Sequence, residues 1–358
     1  MVPYYLLVFV PVLAGLLRGK GRMKIGAASI EDRNNLEITT FFVMLLVILM
    51  FRGSGCGADT ERYKQVFYII RHQNWFQALF LGEREIGYSL LNKLIALFTD
   101  ESQILIAITS MLSVLPMLYF YRREAEQPLL TMVLFMTVAP FTMYFSGIRQ
   151  AVAMGFLVPA WYLAKNKKPI KFVLLSLLAM QFHQSAFIML AIYPLYHAKI
   201  TPRWLLVVVP LMAMVYLFND TIFNFLSIYL WDDYGVAEST GSTTILLLLV
   251  MFAAYSFLMV DETKMDKDLF ALRNMLLFSV VLQCFAPVHT LAMRMNYYYL
   301  VFVPLLIPKI ANRSKRQLKI IATYAVIVMT VFFMFYYLIK AHIGSDILRL
   351  YPYIPFWN

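Results

Sequence analysis

Apolar runs, each closed by a short group of charged residues, recur along the chain from Tyr4 to Ile339. Read at the length a bilayer demands, about 20 apolar residues for a hydrocarbon core about 30 Å thick, they predict helices near 2–18, 36–51, 101–121, 128–146, 148–164, 171–183, 185–198, 204–220, 244–260, 274–290, 296–311 and 319–339. The expected fold is all-α: a polytopic integral membrane protein with about 12 transmembrane segments. No gap could hold a separate soluble domain, so residues 1–358 are expected to form a single polytopic membrane domain. Two stretches depart from the simple pattern. Between Ile86 and Thr99, Tyr88, Asn92 and Lys93 interleave with Ile86, Leu90, Leu91, Leu94, Ile95, Leu97 and Phe98, which predicts an amphipathic helix lying on the outer surface. The run from Phe172 to Tyr196 is interrupted by Gln181-Phe182-His183-Gln184-Ser185, which predicts a hairpin with its tip at His183.

Composition supports the membrane reading, with 61% hydrophobic and 14% charged residues, where soluble domains have about 45–50% and about 25%. The net charge of +11 does not indicate nucleic acid, because Lys and Arg stand in short groups between apolar runs. Those groups, around Arg18–Arg33, Arg122–Arg123, Lys165–Lys171, Lys199–Arg203, Lys264–Arg273 and Lys309–Lys319, mark the cytoplasmic face. Both termini then lie outside. So do the hydrophilic stretches near 52–100 and 221–244 and the tail 341–358, dense in Tyr, Pro and Trp. Cys56 and Cys284 are too few for a disulfide scaffold. The chain carries neither a phosphate-binding Gly loop nor a zinc spacing, and no metal or cofactor is expected. Asp266-Lys267-Asp268 has the Asp-x-Asp spacing of metal-dependent nucleotide-sugar enzymes, but in a Lys-rich cytoplasmic loop it reads as a solvated turn.

An ion within a membrane costs about 2.5–3.5 kcal/mol even on the lenient insertion scale, so polar groups bordering apolar runs carry the information. In Ser146-Gly147-Ile148-Arg149-Gln150, Gly147 bends the chain and Arg149 enters the first turn of a new helix. A guanidinium fork beside free helix N–H groups suits a phosphate; the alternative is an Arg snorkelling to lipid headgroups. Arg294, in Met293-Arg294-Met295, has the same two readings, and the two cations together match a diphosphate. Arg52 opens a loop, Arg52-Gly53-Ser54-Gly55-Cys56-Gly57-Ala58-Asp59, as a third phosphate ligand or a membrane-edge cation. Asp59 is either a general base or the N-cap of the segment from Thr60, with Tyr63 and Phe67 following on one helix face. His183 can act as a base or a donor, or can be satisfied by Gln181, Gln184 or Ser185. Glu85 and Tyr88 either line an outer groove or wet a helix end, and His289 is a further, weaker candidate.

Taken together, Gly55-x-x-x-Asp59-x-x-x-Tyr63-x-x-x-Phe67, Glu85-Ile86-Gly87-Tyr88-x-x-Leu91-Asn92, Ser146-Gly147-Ile148-Arg149-Gln150-x-x-Ala153, Phe182-His183-x-Ser185-Ala186 and Arg294-x-x-x-Tyr298 resemble the EpsG-like family in order and approximate spacing. That family is similar to the Wzy polymerases of bacterial surface polysaccharides. The first loop, with Cys56 and three glycines, departs in detail. The resemblance implies a glycosyltransferase of the bacterial inner membrane with its active site facing outward. It would join oligosaccharide repeat units carried on undecaprenyl diphosphate. The implied catalytic residues are Asp59, His183 and Arg149, the diphosphate ligands Arg149, Arg294 and Arg52, and the groove or glycan residues Tyr63, Glu85, Tyr88, Gln150 and Tyr298. The implied partners are the lipid-linked oligosaccharide, membrane lipids, and a chain-length regulator and flippase of the same pathway. A lipid-linked glycan ligase would use the same Arg chemistry. A flippase or exporter would need charges through the depth of the membrane, whereas the candidate charges gather near one face.

Overall fold

Proline sets where the long apolar runs break. In the computed structural model the α-helix of the run near 128–146 stops at Thr137 and resumes at Met143, because Pro140 has no N–H for the carbonyl of Met136. The same rule separates helix Ile148–Gly155 from helix Leu157–Lys165, where Pro159 leaves the carbonyl of Gly155 without its donor. It also separates Thr290–Leu300 from Val303–Arg313, through Pro304 and Leu300.

In chain order the α-helices are α1 (Val2–Lys20), α2 (Asn35–Met50), α3 (Thr60–His72), α4 (Ile86–Ala96), α5 (Ser102–Glu124), α6 (Pro128–Thr137), α7 (Met143–Ser146), α8 (Ile148–Gly155), α9 (Leu157–Lys165), α10 (Pro169–Met180), α11 (Ile192–His197), α12 (Leu205–Leu217), α13 (Ser242–Leu258), α14 (Lys267–Cys284), α15 (Thr290–Leu300) and α16 (Val303–Arg313). A 3-10 segment, Gln184–Ala191, leads into α11. The structure describes all residues except 1, 21–34, 82–84, 139, 223–224, 226–241, 288–289, 358 and most of 314–348. Most of the expected span near 319–339, most of the stretch 221–244, and His289 therefore lie outside the described residues.

Among the described residues the fold is all-helical, and the one extended pairing is an isolated bridge between Arg52 and Pro355. Only α5, among the described residues, is both long and apolar enough to cross a membrane by itself, while several other apolar helices run 10–17 residues. The expected runs near 128–146, 148–164 and 296–311 are broken ahead of a proline, while Pro11, Pro116, Pro210 and Pro308 lie inside unbroken helices. The core is aromatic, with Phe42 stacked on Tyr121 and Phe135 edge-on to both. Around it, several helices turn apolar faces outward: Val2, Leu6, Phe9 and Leu13 on α1, and Val173, Leu174, Leu177 and Leu178 on α10.

Helix α4 has the expected amphipathic pattern, but its polar face points inward. Tyr88, Ser89, Asn92 and Lys93 are buried, and Ile86, Leu90 and Leu94 are exposed. Lys93 supplies the reason. Its Nζ donates to the carbonyls of Ile70 at 3.2 Å and Arg71 at 3.0 Å, and to that of Gln73, at the C-terminal end of α3. A cation there adds a donor to the Ile70 carbonyl, which the amide of Gln73 also reaches at 3.3 Å, supplies one to Arg71 and Gln73, and meets the negative end of the helix dipole.

The chain reverses at His183. Phe172 of α10 meets Tyr193 of α11 at 5.4 Å, and His197 reaches the carbonyl of Ala164 at 3.0 Å, back where the excursion began. An ionic network gathers at that end. Asp268 receives Lys165 and Tyr196, Arg313 joins Glu126 at 2.9 Å and Asp266 at 3.2 Å, and Lys309 reaches Glu124 at 3.3 Å. Asp266 also caps α14 through the amide of Leu269, so the Asp-x-Asp pair is consumed by helix capping and ion pairs. Replacing Lys93 with Met, which keeps the stem and removes the charge, should leave buried carbonyls unsatisfied. It is expected to destabilise the protein by about 1–3 kcal/mol, read as a lower thermal midpoint in detergent.

Candidate active site

The opposite end of the bundle collects the polar residues of five separated segments. Glu85 sits just before α4 as its N-cap residue, yet its side chain makes no capping bond. It points into the protein, where Oε2 accepts from Nη1 of Arg149 at 2.6 Å and Oε1 lies 3.3 Å from Nδ1 of His183. The three side chains are 7%, 18% and 14% exposed. Burial disfavours the Glu85 charge. The hydrogen bond from His183, the charges of Arg149 and His183 and the amide of Gln184 outweigh it, and hold the carboxyl below its ordinary value.

Arg149 lies in the first turn of α8, as the sequence predicts. Its guanidinium lies over the rings of Tyr63 at 5.8 Å and Tyr88 at 5.7 Å, and these rings meet edge to face at 5.9 Å. Aromatic faces accept a guanidinium without consuming its hydrogen-bond donors. His183 occupies the hairpin tip in an extended conformation, and the tip is fixed by the amide of Tyr88 donating to the carbonyl of Gln181 at 3.2 Å. The imidazole thus takes Glu85 as its partner, not the neighbouring Gln181, Gln184 or Ser185. With Nδ1–H given to the carboxylate, Nε2 keeps its lone pair and can accept a proton.

Arg294 joins from α15, close enough for its charge to act on Tyr63 and His183. It makes no ion pair with any of the described residues. Its carbonyl receives Nε2 of Gln150, which ties α15 to α8. Ser185 and Tyr298 pair through their hydroxyls at 3.4 Å, which ties α15 to the hairpin. Asp59 stands at the N-cap position of α3 but makes no side-chain cap bond; instead Oδ2 accepts from Oγ of Ser146 at 3.3 Å. Burial raises the Tyr63 phenol, while Arg149 beside it pulls the other way.

The structure brings Asp59, Tyr63, Glu85, Tyr88, Arg149, Gln150, His183, Arg294 and Tyr298 to this one end. Tyr63, Glu85, Tyr88, Gln150 and Tyr298 are all buried. Arg52, read from the sequence as a third phosphate ligand or a membrane-edge cation, has other contacts. It is 1% exposed, donates to the carbonyl of Leu49 at 3.3 Å and faces the ring of Phe145 at 5.9 Å. Burial without an acidic partner pushes its pKa down to about 10. The central place of Glu85 is what sequence reasoning under-read; the signal was one acid at the head of an amphipathic helix, in a chain with Arg149 and Arg294 bordering its outer apolar runs.

The EpsG family model matches residues 35–354, nine-tenths of the chain. The chain belongs to the EpsG family. No curated protein and no solved structure matches it. EpsG membership suggests a polysaccharide polymerase-type function with a lipid-linked polysaccharide substrate, in a family that is membrane-associated in general. The matched range contains every residue of the cluster in this EpsG-family chain, and no group of three His, Cys, Asp or Glu that could hold a metal occurs among the described residues.

The lowered Glu85 carboxyl has a sign that can be tested. Its contribution to stability is fully present above the ordinary glutamate value of 4.5 and is lost as pH falls from there through the lower folded value. Glu85→Gln should therefore be less stable than wild type at neutral pH, with the gap closing below about pH 4.5. Thermal midpoints across pH check this, and a gap that stays constant would remove Glu85 from the ion pair.

Proposed function

We propose that this chain is a polysaccharide polymerase. It joins oligosaccharide repeat units carried on undecaprenyl diphosphate at the outer face of a bacterial cytoplasmic membrane. The observation that carries this reading is the Arg149–Glu85–His183 cluster with Arg294 beside it, at one end of helices whose flanks are apolar. Two cations and a proton acceptor are what transfer from a sugar diphosphate needs. The oxygen of an acceptor sugar hydroxyl attacks the anomeric carbon of the donor, the bond from that carbon to the diphosphate oxygen breaks, and the acceptor proton leaves. Arg149 and Arg294 bind the diphosphate and offset the charge that grows on it. His183, held by Glu85, takes the proton at Nε2. Asp59 holds Ser146 at the entry to α8 and so supports Arg149.

The topology fits the same reading. The outward apolar faces of α1 and α10 suit lipid as their solvent. The Lys and Arg of the opposite end match the cytoplasmic side under the positive-inside rule. On α4 the exposed Ile86, Leu90 and Leu94 offer the lipid tail an apolar border near the site.

The test is turnover by purified protein on a lipid-diphosphate-linked repeat unit, with product length read on a gel. Wild type should give a ladder of longer glycans. Arg149→Lys, which keeps the charge but loses the fork, should cut the rate at least about a hundredfold, and His183→Gln at least about a hundredfold. Glycan moved onto a different lipid without lengthening would make the protein a ligase. Substrate appearing intact in the opposite leaflet would make it a flippase.

A further inference from the structure

The loop that carries Asp59 has three glycines and no helix or strand of its own, only local turns such as that closed by the amide of Cys56 on the carbonyl of Gly53 at 3.1 Å. Its path is fixed from two sides. On one side is the protein interior. Gly57 adopts a φ of +93°, and a Cβ there would stand 2.0 Å from the carbonyl oxygen of Phe145, the residue before Ser146. The hydroxyl of Thr60 donates to that same carbonyl at 3.4 Å and to the carbonyl of Cys56 at 2.7 Å.

On the other side is the distant segment 349–357. The amide of Gly53 donates to the carbonyl of Ile354 at 2.7 Å, the amide of Phe356 to the carbonyl of Phe51 at 3.0 Å, and the amide of Gly57 to the carbonyl of Arg349 at 2.8 Å. Phe51 and Phe356 stack at 6.1 Å with planes 17° apart. Tyr353 and Tyr4 tie the segment down from beneath, by donating to the carbonyls of Ile48 and Leu350. A Cβ on Gly53 would lie 3.0 Å from the carbonyl oxygens of both Ile354 and Pro355. The two strips of backbone are therefore in contact with no room for a side chain between them.

We infer that segment 349–357 is a positioning element of the diphosphate site, acting through the loop 52–59 on Arg149. The route is short. Tyr63 lies one turn beyond Asp59, its amide bonded to the Asp59 carbonyl at 3.1 Å, and its ring lies beneath the Arg149 guanidinium. Asp59 holds Ser146, three residues before Arg149. Fixing the loop fixes both supports of the cation. The inference rests on Arg149 as a diphosphate ligand and does not require the polymerase reaction.

Its test is direct binding of farnesyl diphosphate to the purified protein in detergent, by calorimetry and without turnover. Gly53→Val wedges the segment from the loop, and Phe356→Ala removes one stacked ring. The first should raise the dissociation constant about tenfold and the second about threefold, in protein that elutes as wild type does. If Gly53→Val fails to fold, Phe356→Ala carries the test. In an Arg149→Lys background the same changes should have little further effect, because the loss they cause passes through Arg149. Unchanged affinity overturns the inference, and so does an effect that persists in full without the guanidinium. Wild type that binds farnesyl diphosphate but builds no glycan would defeat the polymerase reading alone. Wild type that binds none would remove the diphosphate site and this inference with it.

Discussion

One buried carboxylate shared by two nitrogen bases organises this end of the molecule. Glu85 meets the largely buried guanidinium of Arg149 at 2.6 Å while also holding His183. That pairing joins segments far apart in sequence. The turn before α4 must reach the hairpin tip, which it does through the bond from Tyr88 to Gln181, and the first turn of α8 must lie against both. Helix α15 is then brought in by Gln150 on one side and Ser185 on the other. The aromatic pair Tyr63 and Tyr88 fills the space around the guanidinium.

The far end is held by different means. There Asp266, Asp268, Glu124 and Glu126 bind Lys165, Lys309, Arg313 and Tyr196, most of them at least partly exposed to solvent and Lys309 and Tyr196 buried. Pairs of that kind give register more than stability. Between the two ends, α14 and α15 carry a buried chain of hydrogen bonds, with Ser279 donating to Asn296 at 2.6 Å and Asn296 to Gln283 at 2.7 Å. Polar side chains bonded across helices in apolar surroundings fix rotation and height. Asn296 is two residues beyond Arg294, so this chain sets where the second cation stands.

Helices and their apolar faces could be read from the sequence because hydropathy records them directly. Arg149 in the first turn of a helix and His183 at a reversal were legible for a related reason: Gly147 and the Gln-rich interruption mark the breaks locally. The interruptions at Gly155 and Leu300 were less visible, since each depends on a proline four residues downstream acting on a carbonyl within a run that hydropathy treats as continuous. The site contacts needed more. Glu85 and His183 are ninety-eight positions apart, Gln150 and the Arg294 carbonyl 144. No local pattern specifies such pairings. Arg52 looked like Arg149 in sequence, a cation beside glycine at the end of an apolar run. Its burial against Phe145 and beside the bridge to Pro355 depends on a segment three hundred residues away.

A buried ion pair is weak evidence of a need for stability, because apolar replacements of similar volume are often neutral or stabilising by about 1–4 kcal/mol. Under the proposed function, the Arg149–Glu85–His183 arrangement would answer the charge that sugar transfer creates. In the proposed reaction negative charge grows on the leaving diphosphate while positive charge grows on the imidazole that takes the acceptor proton. Arg149 faces the first and Glu85 the second, and before reaction the two neutralise each other. As the guanidinium turns its donors to the phosphate, the carboxylate loses part of its partner at the moment His183 becomes a cation. In the proposed reaction the charge separation is thus met by charged groups already assembled, with the turn of the guanidinium toward the phosphate as the rearrangement it requires.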